Sequence, residues 1–145
     1  MGDLKKGPAR KPKEEFELET SIFLARLIGP VFLVMGLAIL INPKRIRQVG
    51  LEFVDSEALI LLSGLMTLTV GVAIVNVHNI WVAAWPVIIT LFGWIAILAG
   101  TLRIAASAEM KAIGRAMLEK TVFFAVPGAI MAALGAYLSF QGYFA

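Results

Sequence analysis

Two long apolar runs on either side of a short polar notch set the strongest limit on what this chain can form. Residues 57–76 carry one charge, and residues 80–102 carry none. As a helix rising ~1.5 Å per residue, each run is long enough to cross ~30 Å of hydrocarbon. The notch between them holds Asn76, His78 and Asn79, followed by Trp81 and Trp85-Pro86. It reads as a tight membrane-surface turn joining antiparallel transmembrane helices.

Two further runs, 22–41 and 121–140, complete an all-α bundle of four transmembrane helices at about 22–41, 57–76, 81–102 and 121–140. The chain has 145 residues, 59% of them apolar and 16% charged. A soluble domain of that size has too little interior to hide so much apolar surface. There is no cysteine, which excludes disulfides, Fe–S clusters and thiolate metal sites. One histidine is too few for most imidazole metal centres. The net charge of +3 sits in short clusters beside apolar runs, which suits anionic lipid headgroups rather than nucleic acid.

Residues 1–21 form a polar tail, basic and broken by prolines at first, then acidic through Glu14, Glu15, Glu17 and Glu19. The basic part is expected to be disordered, and the acidic part a helical lead-in to a membrane domain spanning 22–145. Arg26 lies about one turn inside the first helix and reads as a snorkelling anchor or as a partner for an acidic group. Pro30 is expected to kink that helix. The linker 103–120 reads as an amphipathic helix along the membrane surface, with Ala106, Met110, Ile113 and Met117 on one face and Ser107, Lys111 and Arg115 on another. Lys44, Arg45, Arg47, Lys111 and Arg115 are the expected lipid-headgroup contacts. Their position beside the helix ends predicts both basic loops inside, with the His78 turn and both termini outside.

Every expected helix carries two glycines seven residues apart: Gly29 and Gly36, Gly64 and Gly71, Gly93 and Gly100, Gly128 and Gly135. Seven residues are nearly two turns, so each pair marks one face on which helix backbones can approach closely. Shifting the first half by 64 positions superposes these glycines on those of the second half. One reading is a parallel repeat of two helices per half about a pseudo-twofold along the membrane normal. The other is that glycine is simply common in membrane helices.

Chemistry has little to work with. No acidic residue is near His78 in sequence, and no phosphate loop, carboxylate pair or metal-ligand spacing appears. The expectation is no enzyme, no metal and no cofactor, His78 being the one candidate to ligate a haem or pigment. The plainer reading of Asn76, His78, Asn79 and Trp81 is a turn whose side chains cap the flanking helix ends, and the other is a docking patch. The helix interiors offer hydroxyls but no carboxylate for ion coupling.

The run Gly71 to Trp81 containing His78-Asn79-Ile80-Trp81, with Thr90, Gly93, Trp94 and Gly100 after it, resembles a family of small bacterial polytopic inner-membrane proteins with a His-Asn-x-Trp turn. The resemblance covers residues 22–102. It implies a bacterial inner-membrane location and carries no assigned activity; Ala99 stands where many such chains have lysine. The expected function is a non-catalytic accessory or scaffolding subunit of a larger complex, assembled through the glycine faces. Its partners would be lipids and other integral membrane proteins or further copies of itself. A small oligomeric channel or transporter is the alternative.

Overall fold

The computed structural model describes residues 12–119 and 122–144. The described chain is all-α, with six helices: α1 (Pro12–Ile41), α2 (Pro43–Asp55), α3 (Glu57–Val77), α4 (Pro86–Ala105), α5 (Ser107–Glu119) and α6 (Val122–Phe144). Four of them, α1, α3, α4 and α6, are long and apolar enough to cross a membrane. The expected disorder of the basic tail falls on residues outside those described, apart from Pro12 and Lys13. The acidic lead-in belongs to α1, which runs through it and past Pro30 as one helix.

Two regions differ from the sequence reading. The segment after residue 42, read as a basic loop, is the helix α2. Asn42 caps it by accepting the Arg45 N–H at 3.4 Å, and Pro43 occupies the first turn, where a missing N–H costs nothing. Ser56 ends α2 and caps α3 by accepting the Leu59 N–H at 3.4 Å. In the second half, α4 starts at Pro86 rather than at 81 and continues through Arg103 to Ala105, so the linker helix is the shorter α5.

The long helices pack as two antiparallel pairs, α1 with α6 and α3 with α4. Glycines line both crossings. A methyl added at Gly100 would lie 2.5 Å from the Leu68 amide nitrogen and 2.8 Å from the Gly64 carbonyl oxygen. One added at Gly36 would meet Ala132 and the Gly128 carbonyl in the same way. Such backbone contact is what small residues permit where lipid supplies no hydrophobic drive between helices.

These two crossings are one crossing repeated. Adding 64 to Gly36 gives Gly100, and taking 64 from its contacts Gly128 and Ala132 gives Gly64 and Leu68, the contacts of Gly100. Gly71 meets Ile97 and Ala96, and Gly135 meets Leu33 and Phe32, again in equivalent places. The short helices obey the same rule. Gly50 on α2 lies under Leu118 of α5, while Gly114 on α5 lies under Val54 of α2. The joints between helices match as well: Asn42 has φ −134° and ψ 62°, and Ala106 has φ −135° and ψ 53°. The fold is therefore a parallel repeat of three helices per half, α1–α2–α3 and α4–α5–α6, about a pseudo-twofold along the bundle.

The buried core is drawn from the same equivalences. Leu24, Ala25, Ile28 and Ile74 cluster with Ile89 and Leu138, and Ile88 and Phe92 pack against them. This cluster joins the two helix pairs near the start of α1 and the end of α3. Phe32 and Phe92 meet edge to face, with centroids 4.9 Å apart. Toward the other end the pairs separate, and α2 packs against α5 across the gap.

Candidate functional site

At the core end, His78 is the C-cap residue of α3, its N–H donating to the Ile74 carbonyl at 2.7 Å. The imidazole turns inward and is 1% exposed. It lies 2.8 Å from the Ser21 hydroxyl and 3.1 Å from the Thr90 hydroxyl, both fully buried. Ser21 donates its one proton to the Glu17 carbonyl at 2.7 Å, so its contact with His78 needs a proton on Nε2. Nδ1 is then the acceptor facing Thr90. The Thr90 hydroxyl also accepts the Ile80 N–H at 3.1 Å and is in position to donate to the Ile80 carbonyl at 3.0 Å, so its one proton goes either to that carbonyl or to Nδ1. A neutral ring has both nitrogens engaged when the Thr90 proton turns to Nδ1 rather than to the Ile80 carbonyl. Burial pushes the His78 pKa below its ordinary value, which the Glu17 carboxylate offsets in part.

The geometry resembles a serine–histidine pair but is wired the other way. A protonated Nε2 is a donor toward Ser21 and does not act as a base, and the hydroxyl is already committed to Glu17. Ser21, at the end of the tail as drawn from sequence, is part of the buried core. The chain Glu17–Ser21–His78–Thr90–Ile80 ties α1 to the α3–α4 turn.

The other turn residues do not converge on His78. Asn76 donates back to the Val72 carbonyl at 3.0 Å, and Asn79 accepts from Trp81 Nε1 at 2.8 Å; all three side chains are exposed. His78 does stand at a helix end, as the C-cap residue of α3, but its ring is sealed between helices and is not offered as a surface patch. The equivalent of this pin in the other pair is Gly142, whose carbonyl accepts from Arg26 Nε at 2.5 Å, with the Arg26 Cζ 5.7 Å from the Tyr143 ring centroid. Arg26 thus pairs with the C-terminal carbonyls of α6, where a helix end favours positive charge. Thr90 stands where the first half has Arg26.

At the opposite end, several residues expected in the headgroups hold α2 and α5 together. Arg47 Nε donates to the Leu118 carbonyl at 2.6 Å, Lys111 to the Asp55 carbonyl at 3.4 Å, and Arg115 pairs with the Asp55 carboxylate at 3.1 Å. Lys44 and Arg45 remain exposed. Beneath this pair is a cavity of about 450 Å³, lined by Ile39, Phe53, Met110, Met117 and Pro127 among others, and by Arg103. Thus the apolar face of α5, expected to meet the membrane, also contributes Met110, Ile113 and Met117 to the wall of this partly open cavity. Arg103 donates to the Thr67 hydroxyl at 3.1 Å. Sequence reasoning passed over it as one basic residue among several. The signal was the 64-residue register, which sets it opposite Ile39.

Among the described residues, no group of three His, Asp or Glu side chains is placed to hold a metal ion. Comparison of the chain with protein-family models, with curated proteins and with solved structures finds no match.

Proposed function

We propose that this chain is a non-catalytic accessory or scaffolding subunit of a larger bacterial inner-membrane assembly, and that its four long helices cross the bilayer. The observation that carries the reading is the His78 network. The one imidazole of the chain is buried as a neutral structural pin, with both nitrogens engaged by Ser21 and Thr90. Both helix pairs are closed by backbone contact, which suits a rigid body better than a moving one.

The surface offered to a partner differs from the sequence-based expectation. Gly29, Gly36, Gly128 and Gly135 face one another within the α1–α6 pair, and Gly64, Gly71, Gly93 and Gly100 within α3–α4. The glycine faces are consumed inside the chain. On α1 the opposite face carries Phe23, Leu27, Val31 and Val34, all exposed, and this is the face assigned to a partner helix or lipid. Lys44, Arg45, Arg47, Arg103, Lys111 and Arg115 lie at the α2–α5 end, which supports a cytoplasmic position for it and an outside position for His78 and both termini. In that orientation α2 and α5 lie in the headgroup interface.

Native electrophoresis after gentle extraction tests the reading. The expected result is migration above the size of the single chain, together with a stoichiometric membrane protein. Migration as a monomer or small homo-oligomer, with solute flux across liposomes, overturns it in favour of a channel or transporter.

A further inference from the structure

We infer that the chamber between α2 and α5 is a binding site for one anionic phospholipid, with an acyl chain in the cavity and the phosphate on Arg103. The inference rests on the membrane placement proposed above, though not on the accessory role.

The cavity lies on the pseudo-twofold. Eight of its twelve lining residues fall into four equivalent pairs, three of which hold no charge: Gly50 with Gly114, Phe53 with Met117, Val54 with Leu118. One pair breaks the rule, Ile39 with Arg103. The partner of Arg103 breaks it too, since Thr67 stands where the other half has Met131. A guanidinium and the hydroxyl that steadies it have thus been set into an otherwise apolar chamber.

A cation in such surroundings is costly unless an anion faces it. Among the described residues, no carboxylate lies within 4.0 Å of Arg103; the two ion pairs found are Lys13–Glu17 and Arg115–Asp55. Thr67 takes one NH1 proton, and the remaining edge of the fork matches the oxygens of a phosphate. The volume falls within the ~300–1,000 Å³ usual for small-molecule sites. Arg103 is in the last turn of α4, at the level where a helix leaves the hydrocarbon, so an acyl chain reaches the apolar walls while its headgroup meets the charge. Charge, depth and an apolar chamber together define an amphiphile rather than a peptide or a polar solute.

The test is native mass spectrometry of the full chain after delipidation, titrated with phosphatidylglycerol and with phosphatidylcholine of the same acyl chains. One phosphatidylglycerol should bind per chain, at least about tenfold more tightly than phosphatidylcholine. Arg103→Ile places in the site the residue its own repeat carries at 39, so the fold tolerates it, and it should abolish the preference. Ile39→Phe, which narrows the chamber without touching Arg103, should weaken binding of the same lipid. Lys13→Gln, exposed at the opposite end of the bundle, should leave it unchanged. Equal binding of the two lipids, an unaltered preference in Arg103→Ile, or oleate binding as tightly as phosphatidylglycerol would each overturn the proposal. Alkaline-carbonate extraction of membranes separately reports whether the long helices are inserted, so failure of that placement is distinguishable from failure of the site.

Discussion

Gly100→Ala puts the backbone crossing of α3 and α4 to a direct test. The new methyl would begin 2.5 Å from the Leu68 nitrogen and 2.8 Å from its Cα, atoms that move only with their helix. An ordinary contact of ~3.5–4.0 Å requires the two backbones to part by about 1 Å. If about 40 atom pairs of ~0.15 kcal/mol meet at the crossing and a third of that attraction is lost, the cost is on the order of 2 kcal/mol. That should lower the thermal midpoint in mild detergent by about 4–8 °C. Gly36→Ala occupies the equivalent crossing and should cost the same. Gly50→Ala is the contrast, because its methyl would begin 2.9 Å from Leu118 Cδ2, the tip of a side chain that can rotate away. It should shift the midpoint by a degree or two at most. Equal losses at Gly100 and Gly50, or losses at Gly100 and Gly36 differing severalfold, would refute the repeat and the reasoning drawn from it.

Three other outcomes follow from the His78 pin and the charge distribution. Thr90→Val removes the acceptor of the Ile80 N–H and the donor facing Nδ1 and should cost about 1–3 kcal/mol. Thr101→Val, whose hydroxyl only bonds the Ile97 carbonyl at 2.8 Å on an exposed face, should be near neutral. Because burial holds the folded His78 pKa below 6.5, the unfolded chain takes up a proton first as pH falls. Stability should therefore be full above about 6.5 and decline below it toward the lowered value. The slope of midpoint against pH between about 7.5 and 5, which spans the usual histidine range, should flatten in His78→Gln. For orientation, the cysteine-free chain permits single labels. Val77→Cys should react with an impermeant thiol reagent on intact spheroplasts and Gln48→Cys should not, the reverse pattern placing the α2–α5 end outside.

The four long helices were legible because apolar length is a local property that survives any tertiary arrangement. The glycine spacing was legible for a similar reason, since seven residues on a helix define a face. What the spacing did not say is which faces meet. Both outcomes, internal seams or seams turned to a partner, bury the same glycines, and only the contact of Gly36 with Gly128 separates them. The helix α2 escaped notice because lysine and arginine dominate its first turn. Yet the register of 64 already set residues 43–55 on 107–119, a segment read as helical from its own periodicity. The same register carries Gly50 onto Gly114, a pair overlooked because neither lies in a long apolar run. His78 was misread for a different reason. Its partner Ser21 is 57 residues away on α1, just after the acidic stretch that begins at Glu14. Nothing local marks such a residue for burial.

The pairing of α1 with α6 has a consequence for how the protein is made. α3 and α4 are neighbours in the chain and can zip together as soon as α4 is synthesised. α1 emerges first, and its close-packing partner emerges last. About 80 residues separate the end of α1 from the start of α6, which at ~5–20 residues per second is a wait of about 4–16 s. Throughout that interval Gly29 and Gly36 present bare backbone to lipid or to whatever else stands nearby. A ribosome stalled before residue 122 would leave that strip permanently unclaimed while the α3–α4 hairpin was already complete. Truncation at the C-terminus is thus expected to be far more damaging than the loss of one helix suggests, because it strands another helix at the opposite end of the gene.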